Sequence, residues 1–156
     1  MVALAVEPTY RVATLRDHAV VVALLCELID ELGPIESADR IKPLLDGDIR
    51  AALRSPQVRI FLAEIGGEVV GLGRADVLVT DPIFRLRDDH RCGYVDQMYV
   101  RPLYRAQGVG GELLRRCEDW FREQGIAHSL LHSAPRATRF YARQGYQPNR
   151  EMFKRL

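Results

Sequence analysis

The sequence predicts an α/β domain with a mixed sheet, and three observations lead there. Strand-like and helix-like segments follow one another in the order β-α-α-β-β-β-α-β-α-β. The pair Gly66-Gly67 joins two long apolar runs, as the turn of a β-hairpin does. A glycine-containing turn after a strand opens into an apolar stripe at helical spacing, from Val109 to Phe121.

The elements follow in order. Thr9 to Thr14 reads as a first strand. Leu24, Leu25, Leu28, Ile29 and Leu32 recur at helical spacing, which predicts an amphipathic helix over about Arg16 to Leu32, ended by Gly33-Pro34. Ile41, Leu44, Leu45, Ile49 and Leu53 predict a second helical region, broken near Pro43 and Gly47. Val58 to Ile65 is a strand, and Glu68 to Val79 is the strand returning from the hairpin, bent at Gly71 and Gly73. Thr80 to Arg91 is polar and irregular and reads as a loop. Gly93 to Val100 is the next strand, closed by Pro102. The helix from Gly108 ends near Gly125. Ile126 to Ser133 is a strand, Pro135 starts a helix that stops at Gly145, and Tyr146 to Leu156 is a final strand.

At 156 residues, with 47% apolar residues, the chain suits one domain spanning 1–156 with a real core. Its net charge of +1 does not suggest a nucleic-acid binder. Cys26, Cys92 and Cys117 lie far apart and form no Cys-x-x-Cys pair, so neither a metal site nor a redox pair is expected. A disulfide framework is not expected either, which points to a reducing compartment. Met1 to Pro8 is apolar but short and lacks a basic lead, so it does not read as a signal peptide. No stretch approaches the ~18 apolar residues of a spanning helix. The expectation is a soluble, cytoplasmic protein.

The informative segment is the turn Arg105-Ala106-Gln107-Gly108-Val109-Gly110. Unpaired N–H groups at a helix N-terminus converge on one spot, and the helix dipole adds partial positive charge there. Glycines let a bulky anion approach the backbone, and Arg105 supplies a formal charge beside it. The segment therefore has the makings of a phosphate site. A nucleotide P-loop needs Lys and Ser/Thr after its last glycine, where this chain has Gly111-Glu112. A dinucleotide fingerprint wants glycine or alanine where Leu113 stands, and an acid closing the next strand. A glycine-rich helix start that merely packs closely is the remaining competitor.

The longer stretch Tyr99-Val100-Arg101-Pro102-Leu103-Tyr104-Arg105-Ala106-Gln107-Gly108-Val109-Gly110 resembles motif A of the GNAT superfamily of N-acetyltransferases. The core pattern of that motif is Gln/Arg-x-x-Gly-x-Gly/Ala, met by Arg105, Gly108 and Gly110. Leu131 to Tyr146 resembles the family's motif B, with Tyr141 and Gly145-Tyr146 in its Tyr-x-x-x-Gly-Phe ending. Two motifs in order and at the right spacing are far more specific than either alone.

The resemblance implies the GNAT fold, a mostly antiparallel mixed sheet of about six to seven strands flanked by about four helices. It implies acetyl-CoA as cosubstrate and no metal. Backbone groups of Met98, Tyr99 and Val100 would pair with the pantetheine arm. The N–H groups of Ala106, Gln107, Gly108, Val109, Gly110 and Gly111 would meet the pyrophosphate, beside Arg105. Tyr141 matches the tyrosine that protonates the departing thiolate. Many relatives carry an asparagine near the start of the motif B helix; here Ala134 stands there, followed by Pro135, and a backbone contact or Arg136 would have to substitute.

The general base is left open. Asp96 is the only carboxylate on Gly93–Val100, and strand alternation places it on the side of Tyr94 and Met98. His132 or a water relay is the alternative, with weaker claims from Glu64 and Asp76. The acceptor expected from the resemblance is the primary amine of a small molecule or peptide, bound between the first two helices and the Thr80–Arg91 loop. Neither a nucleic acid nor a membrane is expected as partner. The resemblance admits a homodimer, which the sequence itself neither supports nor opposes. The rival reading is a non-catalytic acyl-CoA-binding module that keeps Arg105–Gly110 without the catalytic groups.

Overall fold

The computed structural model describes residues 6–33, 38–79, 90–149 and 154–155. Strand β1 (Thr9–Val12) leads through a short 3₁₀ turn to helix α1 (His18–Glu31), then α2 (Ala38–Ala52). The hairpin strands β2 (Val58–Ile65) and β3 (Glu68–Val79) come next, followed by β4 (Arg91–Val100). Helix α3 (Val109–Glu123), the short strand β5 (Ser129–Leu131) and helix α4 (Thr138–Arg143) complete the order.

The sheet has five strands in the order β1-β2-β3-β4-β5 among the described residues. β1 to β4 are antiparallel neighbours and β5 is parallel to β4. The parallel step is forced by α3, which carries the chain back across one face before β5 begins. Each face has its own core. Val109, Leu113, Leu114, Cys117, Trp120 and Phe121 of α3 pack with Phe61, Ala75 and Val95 on one face. Val21, Leu24 and Leu25 of α1 and Leu45 and Ile49 of α2 pack with Leu62, Leu72 and Tyr99 on the other.

The fit is tightest where α3 crosses β4. A Cβ placed on Gly93 would lie 2.4 Å from a ring carbon of Phe121, so only glycine admits that ring.

Several elements differ from their sequence expectation. Helix α2 runs unbroken through Pro43 and Gly47. Pro43 sits in its second turn, and the buried face of Leu45, Ile49 and Ala52 holds the helix despite the missing N–H. Gly71 and Gly73 stay paired on both sides, and the register shifts fall beside them, at Ala63/Glu64 and Arg74/Ala75. β5 pairs over three residues rather than from Ile126 to Ser133. Arg91 already belongs to β4, and the rest of the expected loop up to residue 89 lies outside the described residues. Tyr146–Asn149 are not strand, and residues 150–153 and 156 of the expected last strand lie outside the described residues. The sheet therefore has five strands among the described residues rather than the six to seven expected. Among the described residues no helix is long and apolar enough to cross a membrane.

Candidate active site

The site begins where two strands part. β5 pairs with β4 only from Gly93↔Ser129 to Val95↔Leu131. β4 continues against β3 as far as Val100↔Gly71. From Asp96 to Val100 its other edge therefore has no strand partner among the described residues. Unpaired main-chain groups on such an edge are ready to bond an extended ligand. Pro135 contributes to the parting, because it opens a 3₁₀ turn that takes the chain away from the sheet. The gap opens into a cleft of about 750 Å³ that passes between α1 on one face and α4 on the other.

A β-bulge re-aims β4 at this point. Arg74 pairs with Gln97 and Ala75 with Val95, so Asp96 is the extra residue. Val95 and Met98 consequently pack toward α3, although three positions apart. Asp96 lies on the opposite face, 3.6 Å from Nε of Arg74, whose guanidinium also reaches Asp48 of α2. The expectation that Asp96 faces the same way as Met98 is thus corrected, since simple alternation does not survive an inserted residue. Asp96 lines the cleft. Burial pushes its carboxyl above the usual carboxylate range; Arg74 pulls it down, and Asp76 and Asp48 push it up again. A carboxylate held this way is a better proton acceptor than an exposed one.

At the far end of β4 the chain enters the glycine turn. Ala106 holds φ +59° and Gly108 φ +85°. For alanine that conformation costs roughly 1 kcal/mol, a strain of the kind that collects at ligand clamps. Gly108 is the N-cap of α3, and no side chain caps it. Glu112 N–H makes its bond back to Gly108 O, so Val109, Gly110 and Gly111 occupy the first turn, where N–H groups have no intrahelical acceptor. Gly108, Gly110 and Gly111 line the cleft. Val109 turns its side chain into the core, and Gln107 turns its amide back to Leu103 O.

The charge of Arg105 is not free, which amends the sequence expectation. Its Nη1 and Nη2 donate to Glu31 at 2.7 and 2.5 Å, its Nε donates to Val100 O, and its guanidinium lies over the Tyr99 ring. Arg136 reaches the same glutamate at 3.2 Å from the other lip of the split. One carboxylate thus holds two guanidiniums across the cleft, leaving the lip net positive. Met98 and Val100 pack against one core and Tyr99 in the other, and all three residues line the cleft.

Tyr141 lines the cleft from α4. Its ring meets Phe140 edge-on at 5.0 Å and Tyr146 at 5.9 Å. Burial pushes its phenol up to about 12, so it stays protonated across the working pH range. Ala134 is on the wall as well. His132 also lines the cleft, and its Nδ1 lies 2.6 Å from the Tyr94 hydroxyl. Glu64 is paired with Arg11, and Asp76 with Arg74, so both are engaged elsewhere. Cys92 is buried within β4, and no group of three or more potential metal ligands exists among the described residues.

Sequence reasoning missed Glu31, Arg74 and Arg143. Arg143 lines the cleft, and no ion pair engages it among the described residues. It stands two residues after Tyr141, a spacing that gives no shared helix face and so no signal. Glu31 pairs with residues of distant elements, and Arg74 takes Asp76 from its own strand but Asp48 from α2.

The model of the acetyltransferase (GNAT) family matches residues 24–146. An aminoalkylphosphonate N-acetyltransferase of Salmonella typhimurium is 32% identical over 147 residues, covering 92% of this chain and 87% of that protein. A GCN5-related N-acetyltransferase from Ralstonia eutropha superposes with a TM-score of 0.87 at 24% identity, covering 96% of this chain and 99% of that one. A predicted acetyltransferase from Clostridium acetobutylicum, solved with acetyl-CoA, superposes at 0.86 with 20% identity and 96% of each chain covered.

Proposed function

The chain belongs to the acetyltransferase (GNAT) family, and from that premise we propose that it carries an acetyl group from acetyl-CoA to a primary amine by direct transfer. The observation that carries this reading is the edge of β4 from Asp96 to Val100, without a strand partner among the described residues and leading on to the uncapped start of α3. In this reading the N–H groups of Ala106–Gly111 hold the pyrophosphate, with Arg143 as a further cation on the wall. The pantetheine arm lies along Met98–Val100, whose N–H groups orient and polarise the thioester carbonyl.

The acceptor enters from the α1–α2 face, where Asp96 lies. An alkylammonium must lose a proton before its nitrogen can attack. Asp96, directly or through one water, takes that proton. The nitrogen lone pair forms the C–N bond, the C–S bond breaks, and Tyr141 donates its proton to the sulfur. The products are the amide and the free thiol; of the two protons the ammonium gives up, one goes to Asp96 and the other passes through solvent to restore the Tyr141 phenol. Both reactants are present together, so no acyl-enzyme is needed.

The acceptor is a small molecule or peptide. A short aminoalkylphosphonate is the first to test, because the Salmonella relative of that name matches nearly the whole chain. The experiment is a thiol-release screen with acetyl-CoA across aminoalkylphosphonates, polyamines, aminoglycosides, amino acids and peptide N-termini. At least one class should release CoA in step with acetylated product. Acetyl-CoA binding without release by any amine would leave a binding module instead.

A further inference from the structure

Arg74 is buried on β3, at the inner wall of the acceptor side, with its side chain 9% exposed. Three carboxylates surround it. Asp76 takes Nε at 2.8 Å and Nη2 at 2.9 Å, and Asp48 of α2 takes Nη1 at 2.8 Å. Asp96 stands 3.6 Å from the same Nε and makes no hydrogen bond with it. A guanidinium prefers a two-point grip on one carboxylate, and here Asp76 has it. Two aspartates on β3 and α2 thus occupy a cation that would otherwise grip the third.

We propose that Asp76 and Asp48 are positioning residues, which occupy Arg74 and so leave Asp96 unbonded and able to take the proton of the acceptor amine. The proposal rests on the reading of Asp96 as base. The β-bulge supports it, because the inserted residue is the one that lines the cleft while staying within reach of Arg74. Three negative charges beside one positive charge also oppose ionisation of Asp96, and burial acts the same way. The other charged or titratable groups of the cleft are His132, Tyr141, Glu31, Tyr99, Arg105, Arg136 and Arg143, with Tyr94 against His132. Tyr94 and His132 contact one another, and Glu31 is held by Arg105 and Arg136. Arg74 is the cation within reach of Asp96.

The test is a carbon-13 carboxylate NMR titration of aspartate-labelled protein, with the Asp96 resonance assigned from Asp96→Asn. In Asp76→Asn the guanidinium loses its two-point partner and turns to Asp96. The midpoint of Asp96 should fall by about one pH unit, as a new opposite charge at contact distance requires. The kcat/KM with the best amine should fall by up to about tenfold, the response of a weakened base. Asp48→Asn should act in the same direction by less. Asp48 is half exposed on α2, so this variant carries the test if Asp76→Asn does not fold. An unmoved or raised Asp96 midpoint in the folded variants overturns the positioning role. A lowered midpoint with unchanged kcat/KM overturns Asp96 as base, and the catalytic part of the proposal with it. A merely structural role for Asp76 would lower the melting temperature without moving that midpoint.

Discussion

Replacing Tyr141 with phenylalanine separates chemistry from packing in this cleft. The substitution keeps the ring, and therefore its edge contacts with Phe140 and Tyr146. No hydrogen bond engages the hydroxyl among the described residues, so folding stability should stay within about 0.5 kcal/mol of the parent. The loss should appear in kcat. A positioned general acid contributes about 10²–10⁴-fold. The lower end applies here, because a thiol of pKa ~8.5 is already a fair leaving group. The expected fall of about 10²-fold corresponds to about 2.7 kcal/mol of barrier. The same burial that lifts the phenol to about 12 also lifts a thiolate formed beside it, so donor and acceptor remain matched. An acid works in its protonated form, and a raised pKa extends that form upward in pH. The parent should consequently show no loss from Tyr141 ionisation until the pH approaches about 12. The assay is thiol release at saturating acetyl-CoA and amine, over a pH series. A kcat within threefold of the parent, or a raised KM at constant kcat, would refute the acid role.

Three further outcomes are expected. Gly93→Ala should destabilise the protein by roughly 1–3 kcal/mol in a denaturant melt, because the new methyl meets the buried Phe121 ring. Asp17 accepts from both Arg11 nitrogens and from Thr14 N–H, and Arg11 above all draws its carboxyl from 3.8 to about 2. A depressed carboxylate stabilises above its unfolded pKa and loses that contribution as pH falls through its folded one. About 2 kcal/mol should thus be present at pH 5 and vanish between about pH 4 and 2, and Asp17→Asn should flatten that part of the stability–pH curve. Arg143→Ala should raise KM for acetyl-CoA several-fold at unchanged kcat and melting temperature, since no ion pair holds this cleft-lining cation among the described residues.

The order of elements, the hairpin at Gly66-Gly67 and the glycine turn before α3 were legible in the sequence, because each depends on residues close in the chain. Periodicity marks a helix, paired glycines mark a turn, and glycines before an apolar stripe mark a helix start without reference to anything distant. The breadth of β5 was overread, because Ile126–Ser133 has strand composition while only Ser129–Leu131 finds a partner. Pairing is a property of two segments, and one segment cannot report it. Helix α2 errs the other way: Pro43 predicts a break, but the buried face supplies what the missing hydrogen bond removes.

The sequence by itself determined the local frame on which the proposed donor site rests. Gly108, Gly110 and Tyr141 sit at spacings that local structure alone turns into a glycine helix start and a helix-borne phenol. Only the tertiary structure decided the rest. The bulge at Asp96 turns it away from Met98, Glu31 of α1 holds both Arg105 and Arg136, and Arg74 gathers aspartates from two elements. Apart from Arg74–Asp76 on one strand, these contacts join residues tens of positions apart, and ion pairs at such separation leave no period in a sequence. Their geometry exists only once two helices and a sheet have packed.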